Sequence, residues 1–333
     1  MDSPPNRAGP VMAADLQAVE LVAVILAVPG GVPQVLTLGA PSGVPALPSG
    51  PLQAEHRSLQ YGLRSWVERQ TGHPLGYVEQ LYTFADRERA GARERVVSVS
   101  YLGLTRVEAG EPGWRDWYEL FPWEDRRDGR TDPLYDDLRA ALSAWARDPA
   151  AAPSRAQAVA AERRARVEGA FGFGGSPWAS ENCLQRYELL WEAALLPESP
   201  RADGWRGSLH DAAVSVPGLT SAPGQRMLGD HRRILATGIA RLRAKLQYRP
   251  VVFELMPETF TLGTLQLTVE ALAGTRVHKQ NFRRLVEQQQ LVEPTGASTA
   301  VTGGRPAKLY RFRREILAER RAAGTKLPIP RPR

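Results

Sequence analysis

Cysteine is almost absent from this chain. Cys183 is the single cysteine in 333 residues, so no disulfide can form within the chain, and this usage fits a reducing compartment. The five histidines are scattered and show no Cys/His spacing of the kind that zinc sites use. The longest apolar run, residues 19–28, contains Glu20 and is too short to cross a bilayer. A disulfide scaffold, a structural metal site and a membrane span are therefore not expected.

Two further patterns are missing. Residues 1–10 are polar and rich in proline and do not form a signal peptide, so we expect a cytoplasmic protein with a loose tail over residues 1–16. The glycine-rich residues 172–176 precede a helical pattern, as a phosphate-binding loop does. No Gly-Lys-Ser/Thr follows them, which favours a plain loop.

What the chain does have is a basic excess confined to its last third. Residues 231–333 hold 20 Lys and Arg against 7 Asp and Glu, a net charge of +13. The whole chain has a net charge of +7, so residues 1–230 are acidic, at −6. Such asymmetry indicates a nucleic-acid-binding module joined to a second unit. The alternative is a solvated basic tail, which would explain part of the excess beyond residue 311.

Residues 261–274 predict the first helix of a helix-turn-helix. Thr261 suits an N-cap, because its hydroxyl can accept a hydrogen bond from an unpaired N–H of the first turn. Four apolar residues follow at helical spacing: Leu262, Leu265, Val269 and Leu272. Gly274 supplies a left-handed residue that ends the helix before a short turn.

A second helix is expected to begin near His278, which either contacts phosphate or simply starts the helix. Its apolar face carries Phe282, Leu285 and Val286. Its opposite face carries the residues expected to contact DNA: Lys279, Gln280, Asn281, Arg283 and Arg284. In the major groove Arg pairs with guanine and Asn or Gln with adenine, so this is the predicted recognition helix.

Two short alternating runs, residues 291–294 and 308–312, predict a two-stranded wing. The flexible tip between them, residues 303–306, carries Arg305. Arg305 and Lys308 are placed to contact phosphates or a minor groove. Together with Thr261 and the second helix, they make up the predicted DNA-binding set.

The first 230 residues combine strands and helices. Strand character is found at residues 21–28, 35–38, 77–84 and 96–104. Residues 39–51 are rich in Gly and Pro and predict a loop, and residues 53–70 predict a helix that ends at Gly72. Further helices are predicted at residues 132–146, 155–168, 181–195 and 231–246.

These segments together resemble the Nudix-related transcriptional regulators of NAD metabolism. The most specific matching segments are residues 253–255, 260–262, 281–284, 293–294 and 304–307. A long insertion at about residues 110–215 makes the chain look closest to the NadQ-like branch, which is related to NrtR. The resemblance implies an α+β protein: a Nudix-like α/β/α sandwich with a helical insertion over residues 17–230, then a winged helix-turn-helix domain over 231–333.

The segment that corresponds to the Nudix box lacks its metal ligands. In the functional motif, paired glutamates one helical turn apart hold Mg²⁺ against a pyrophosphate. With Gly72 as the anchor, the Arg-Glu pair falls on Ser65 and Trp66 and the Glu-Glu pair on Arg69 and Gln70. The resemblance therefore implies a domain that binds a nucleotide without cleaving it, with no catalytic residue, no metal and no required cofactor.

Five side chains flank the presumed nucleotide pocket: Arg57, Arg64, Gln80, Tyr82 and Arg106. Arginines there could hold phosphates and Tyr82 could stack on adenine, although each residue alone also suits a solvated surface or the core. The aromatic residues at 114–123 could line an adenine site, but so dense a cluster is more typical of a core or a dimer interface. Cys183 is expected to be a buried, inert thiol.

The resemblance implies a homodimeric repressor of de novo NAD biosynthesis genes that binds a palindromic duplex DNA operator. It implies ATP as the effector that weakens DNA binding, with ADP-ribose or an NAD-related nucleotide as alternatives. Two other functions stay open. One is an active Nudix-type nucleotide pyrophosphatase with an accessory nucleic-acid-binding domain, and the other is a sequence-independent RNA-binding protein.

Overall fold

The computed structural model describes residues 18–39, 43–73, 75–85, 96–129, 132–147, 153–199, 219–299 and 306–313. The first part of the chain contains eight strands among these residues: β1 (Ala18–Ala27), β2 (Gln34–Leu36), β3 (Leu38–Gly39), β4 (Pro45–Ala46), β5 (Ser49–Pro51), β6 (Tyr77–Phe84), β7 (Val96–Leu104) and β8 (Trp114–Asp116). Its helices are α1 (Leu59–Thr71), α2 (Trp117–Leu120), α3 (Asp132–Arg147), α4 (Pro153–Phe171), α5 (Cys183–Glu192) and α6 (His231–Leu246). The last elements are α7 (Leu262–Ala273), α8 (Lys279–Gln288), β9 (Val292–Ser298) and β10 (Lys308–Phe312).

The central sheet has the strand order β6-β7-β1-β2-β8, and β5 also pairs with β1. Strand β1 runs parallel to β7 and antiparallel to both β2 and β5. Its apolar run is continuous because both faces of the sheet are covered. Leu21, Ala23 and Ile25 pack towards α1, whereas the alternate residues join the larger core that includes α6. The predicted α/β/α sandwich is therefore confirmed.

Helix α6 lies between the sheet and the helical insertion. It contacts β1, β6 and β7 on one side and α5 on another. The aromatic residues Trp117, Phe121 and Trp123 are fully buried in the core around it, so the cluster at 114–123 is largely core. The same core continues into α7 and α8. Since α6 contacts both parts of the chain, the domain boundary at residue 231 stays a prediction, as do the bounds of the insertion.

Three local predictions were wrong in extent. Residues 39–51 contain β4 and β5, and β5 is a strand because its backbone pairs with Glu20, Leu21 and Val22 of β1. The helix predicted from residue 53 begins at Leu59, after the N-cap Ser58. The helix predicted over 181–195 begins as a 3-10 turn and ends at Glu192. Long-range strand pairing and side-chain capping decided these limits, and apolar periodicity reports neither.

Cys183 is fully buried, as predicted, and burial raises the pKa of its thiol. Within the described part of the chain, no helix is long and apolar enough to cross a membrane.

His231, the first residue of α6, is expected to make the stability of the protein pH-dependent. Its Nδ1 accepts a hydrogen bond from the Leu47 N–H at 2.9 Å, and burial lowers its pKa below 6.5, an effect that nearby Glu20 opposes. The unfolded chain therefore binds the proton more readily than the folded protein does. Stability should be full above pH 6.5 and should fall as the pH drops below that value.

We expect His231→Asn, whose amide oxygen can accept the same hydrogen bond, to remove this pH dependence. Urea unfolding of both proteins between pH 6.5 and about 5.5 measures it, because most carboxylates remain charged in that window. Equal pH slopes for the two proteins would show that His231 is not the responsible group.

Candidate nucleic-acid interface

Helix α7 has the ends that the sequence predicts. The Thr261 hydroxyl accepts a hydrogen bond from the Thr264 N–H at 3.0 Å, so Thr261 is the N-cap. Gly274 adopts φ 72° and closes the helix with its N–H on the Glu270 carbonyl at 2.9 Å. Since the Thr261 hydroxyl is engaged within the helix, a DNA contact by Thr261 stays a prediction.

Helix α8 has two faces of opposite character. Phe282 and Val286 are buried and Leu285 is half-buried, so this face anchors the helix to the core. The DNA-contacting residues predicted on α8 and at its N-cap are all exposed: His278, Lys279, Gln280, Asn281, Arg283 and Arg284. Arg284 Nη2 lies 3.4 Å from Asn281 Oδ1, which brings an amide and a guanidinium together on the open face. Such a surface fits the chemistry of base edges in the major groove.

The wing is a two-stranded antiparallel sheet of β9 and β10. Lys308 pairs with Ser298 in this sheet and its side chain is exposed. Phe312 stacks on Phe253 with ring centroids 4.1 Å apart, which ties the base of the wing to the core. Arg305, predicted to contact phosphate, lies outside the described residues.

Glu270 organises the turn between α7 and α8. Its Oε1 accepts hydrogen bonds from the Val277 N–H at 3.0 Å and from Gln266 Nε2 at 2.9 Å. Gln266 Nε2 also donates to the Val277 carbonyl at 3.2 Å. This role of Glu270 was not predicted, although a carboxylate within the apolar pattern of α7 is a sequence signal for it.

The C-terminal end of α7 is capped by donors from the first part of the chain. The last carbonyls of a helix have no partner within the helix, so they must bond elsewhere. Three donors reach them: Tyr118 Oη bonds Ala271 O at 2.7 Å, Arg243 Nε bonds Leu272 O at 2.8 Å, and Arg126 N bonds Gly274 O at 2.7 Å. We call these three donors and three carbonyls the interdomain joint.

A buried ion network supports the interdomain joint. The Glu124 carboxylate bonds Arg186 through two contacts, at 2.6 and 2.8 Å, and also bonds Arg243 Nη1. All three side chains are at most 1% exposed. Burial by itself raises the pKa of Glu124, but the two guanidiniums outweigh it and hold that pKa below its usual range. Removing one partner from such a network costs about 3–5 kcal/mol, because a charge is left buried without its counter-ion.

Two of the presumed pocket residues bond to backbone carbonyls. Arg64 donates to the Leu75 carbonyl and, at 3.1 Å, to the Gly76 carbonyl, which ties α1 to the start of β6. Arg106 Nη2 lies 3.4 Å from the Phe253 carbonyl, so it links the end of β7 to the chain that leads into α7.

The other three pocket candidates are exposed. Arg57 lies over the Tyr61 ring, 4.8 Å from its centroid, just before α1. Gln80 and Tyr82 lie on β6, where Tyr82 is 60% exposed. No hydrogen bond or ion pair joins any two of the five candidates within the described part of the chain, and their common role in nucleotide binding stays a prediction.

Of the four residues that the resemblance aligns with the Nudix metal ligands, Trp66 and Gln70 bond to strand β5. Trp66 Nε1 donates to the Pro51 carbonyl at 2.9 Å, and Gln70 Nε2 donates to the Ser49 carbonyl at 2.8 Å. The Arg69 guanidinium lies over the Trp66 ring, 4.1 Å from its centroid. The Trp66 and Gln70 side chains thus attach α1 to β5. In the part of the chain that the structure covers, no three His, Cys, Asp or Glu residues are grouped to hold a metal ion.

Comparison with known proteins agrees with this architecture. Residues 252–312 match the family described as the NrtR DNA-binding winged helix domain. The ADPR responsive transcriptional repressor NtrR of Acinetobacter baylyi is 41% identical over 83 residues, which are 25% of this chain. The match spans only 33% of the length of that repressor. The segment containing α7, α8 and the wing is therefore a winged helix of the NrtR type.

Solved structures extend the likeness to the whole fold. The crystal structure of Shewanella oneidensis NrtR aligns over 94% of this chain and 99% of its own, with 20% identity and a TM-score of 0.50. The same protein complexed with a 27mer DNA aligns over 89% and 93% of the two chains, with 20% identity and a TM-score of 0.48. Identity this low shows the fold alone, and the likeness to unbound NrtR confirms a Nudix-like domain followed by a winged helix.

Proposed function

We propose that this protein is a transcriptional repressor whose winged helix binds an operator and whose Nudix-like domain binds an adenine nucleotide that changes DNA affinity. One observation carries the proposal: the exposed face of α8 presents Asn281, Arg283 and Arg284 on a segment that matches the NrtR DNA-binding domain. The basic charge of residues 231–333 favours the same partner, because it attracts the phosphate backbone. The relative from A. baylyi is named as a repressor that responds to ADP-ribose.

The regulated genes that we propose are those of de novo NAD biosynthesis, as the resemblance of the sequence implies. One winged helix contacts few base pairs, so we propose a cytoplasmic homodimer on a palindromic operator. The symmetry of the dimer would then match the symmetry of the DNA.

For the effector we propose an adenosine diphosphate group within a larger nucleotide. ATP, which the NadQ-like resemblance implies, and ADP-ribose, which the name of the A. baylyi relative gives, share this group. Guanidinium groups such as those of Arg57 and Arg64 suit its phosphates, and an exposed tyrosine such as Tyr82 suits its base. A nucleotide can change DNA affinity only if it binds one arrangement of the domains better than another.

We propose further that the Nudix-like domain does not hydrolyse its ligand. Trp66 and Gln70 stand at positions where a Nudix hydrolase needs carboxylates, and both attach to the backbone of β5. Neither side chain can hold Mg²⁺ against a pyrophosphate as a carboxylate does. A sensor benefits from this, because its ligand persists long enough to report its concentration.

A mobility-shift titration tests the proposal. The purified protein is incubated with duplexes from upstream of its own gene and of NAD-biosynthesis genes, with a random duplex as control, and with ATP, ADP-ribose or NAD. We expect specific binding that ATP or ADP-ribose weakens, with the nucleotide recovered intact in the presence of Mg²⁺. Cleavage that a pocket variant abolishes would support the pyrophosphatase instead, and equal affinity for RNA and duplex DNA would support the RNA-binding protein.

A further inference from the structure

We propose that Arg243, Tyr118 and Arg126 are positioning residues for DNA recognition, which orient the recognition helix from the sensor side and transmit the effect of the nucleotide. The proposal rests on the function proposed above and adds to it the place where the two domains are coupled. All three residues belong to the interdomain joint and precede the winged-helix segment 252–312. Arg243 falls within the predicted domain of residues 231–333, but its helix α6 packs on the strands β1, β6 and β7 of the sensor sheet. Within the described part of the chain, none of the three forms a hydrogen bond with the predicted DNA-contacting residues of α8.

The first step is geometric. The interdomain joint holds Ala271, Leu272 and Gly274, and only the turn at residues 275–278 separates Gly274 from the start of α8. That turn is held on both sides, since Glu270 bonds the Val277 N–H and Arg276 Nε bonds the Arg127 carbonyl at 2.8 Å. A shift of the donors relative to the sheet would therefore move the start of the recognition helix.

The second step connects the interdomain joint to the sheet. Arg243 lies on α6, two residues from Lys245, whose Nζ bonds Glu79 and, at 2.9 Å, the Tyr77 hydroxyl of β6. Arg241 Nη1 on the same helix lies 3.3 Å from Glu79 Oε1. Strand β6 also carries Gln80 and Tyr82, two of the presumed nucleotide contacts. One short stretch of α6 thus bonds to the sensor strand on one side and to α7 on the other.

The third step explains why Arg243 suits this role. Its Nε bonds the Leu272 carbonyl while its Nη1 bonds both Glu124 and, at 3.0 Å, the Ser180 carbonyl. A planar guanidinium can serve these partners at once in a fixed orientation, whereas a lysine ammonium is a single point donor on a flexible stem. Arg243→Lys keeps the positive charge but cannot bond the Leu272 carbonyl and Glu124 at the same time. The variant therefore separates the positioning role of Arg243 from its charge.

Arg232 provides a matched control on the same helix. It is 1% exposed and pairs with Glu198 through two contacts of 3.1 Å. Its remaining bonds reach the carbonyls of Leu120 and Pro223, and it bonds no residue of α7 or α8. Arg232→Lys therefore disturbs an equally buried arginine of α6 without touching the interdomain joint.

The experiment uses the full-length wild type, Arg243→Lys and Arg232→Lys. Fluorescence anisotropy gives the affinity for the operator and for a random duplex, with and without ATP or ADP-ribose, and calorimetry gives nucleotide affinity. Allosteric coupling is typically about 5- to 150-fold. We expect Arg243→Lys to bind the nucleotide like the wild type but to show less than about twofold coupling, and Arg232→Lys to keep the wild-type coupling. Wild-type coupling in Arg243→Lys, or equal loss in both variants, would overturn the proposal.

A milder variant covers the case in which Arg243→Lys does not fold. Tyr118→Phe removes only the hydroxyl that donates to Ala271 O, and the ring stays in the core. Without any nucleotide, we expect this variant to show faster hydrogen exchange than the wild type at the first amides of α8. We also expect the ratio of its affinity for the operator to its affinity for random DNA to be lower than in the wild type. Unchanged exchange and affinity would overturn the positioning role. A wild type indifferent to both nucleotides would instead refute the proposed function, while these nucleotide-free measurements still decide the positioning role.

Discussion

Alanine at Gly274 is expected to destabilise the protein much more than alanine at Gly72, although the two glycines have the same local role. Each ends a helix in the left-handed conformation, with φ 72° at Gly274 and 70° at Gly72, and each N–H bonds the carbonyl four residues back at 2.9 Å. A left-handed alanine costs about 1–2 kcal/mol at either site. This shared cost makes Gly72→Ala the control for backbone strain.

The surroundings of the two glycines differ. A Cβ at Gly72 would meet no atom within 4 Å, whereas a Cβ at Gly274 would overlap the Glu124 carbonyl oxygen and lie 3.0 Å from Arg243 Nη2. Overpacking of this kind adds about 1–3 kcal/mol or more, because the neighbours are backbone and a buried ion network that cannot move aside. Urea unfolding of both variants measures the difference in the free energy of unfolding. If both variants lost the same free energy of unfolding, the atoms of the interdomain joint would be able to move away from the added Cβ with little loss of stability.

Loss of Asn281 or Arg283 is expected to abolish most of the preference for the operator. Each side chain is exposed on α8, and a good pairing with a base edge is worth about 1–3 kcal/mol, or roughly 5- to 150-fold in affinity. Asn281→Ala and Arg283→Ala should therefore weaken operator binding by that factor. Asn281→Ala should leave affinity for a random duplex nearly unchanged, because it removes no charge. Competition titrations with both duplexes measure the ratio.

Lys308→Ala is the matched control for these two variants. Lys308 is exposed on the wing strand β10, where we expect a cation to contact phosphate, a contact that carries no sequence information. Its loss should weaken binding to both duplexes by a similar factor and reduce the salt dependence of binding. If Asn281→Ala instead weakened both duplexes equally, α8 would not be the helix that recognises bases.

Features that depend on a few neighbouring residues were predictable from the sequence. The N-cap at Thr261, the left-handed Gly274 and the two faces of α8 all follow from the order of residues along one short segment. The bounds of α6 were also correct, because its apolar periodicity is unbroken. The buried run of β1 was recognisable because strands covered on both faces are apolar at every position.

Features that depend on distant partners were not predictable. Strand β5 is short and rich in Gly and Pro, and it exists because β1 supplies its hydrogen-bond partners. Glu124, Arg186 and Arg243 look like ordinary surface charges in the sequence, since one sequence cannot show that residues 62 and 119 positions apart meet. The presumed pocket residues were chosen by segment. The structure shows that Arg64 and Arg106 bond to backbone carbonyls, and a role of the five residues in nucleotide binding stays a prediction.

The sequence by itself determined that a basic helix-turn-helix with a wing follows an acidic α+β unit, because charge, periodicity and capping are local properties of the chain. Only the tertiary structure decided how the two are joined. The carbonyls that end α7 need donors, and folding brings Tyr118, Arg126 and Arg243 to them from 153, 148 and 29 positions away, which no local pattern encodes.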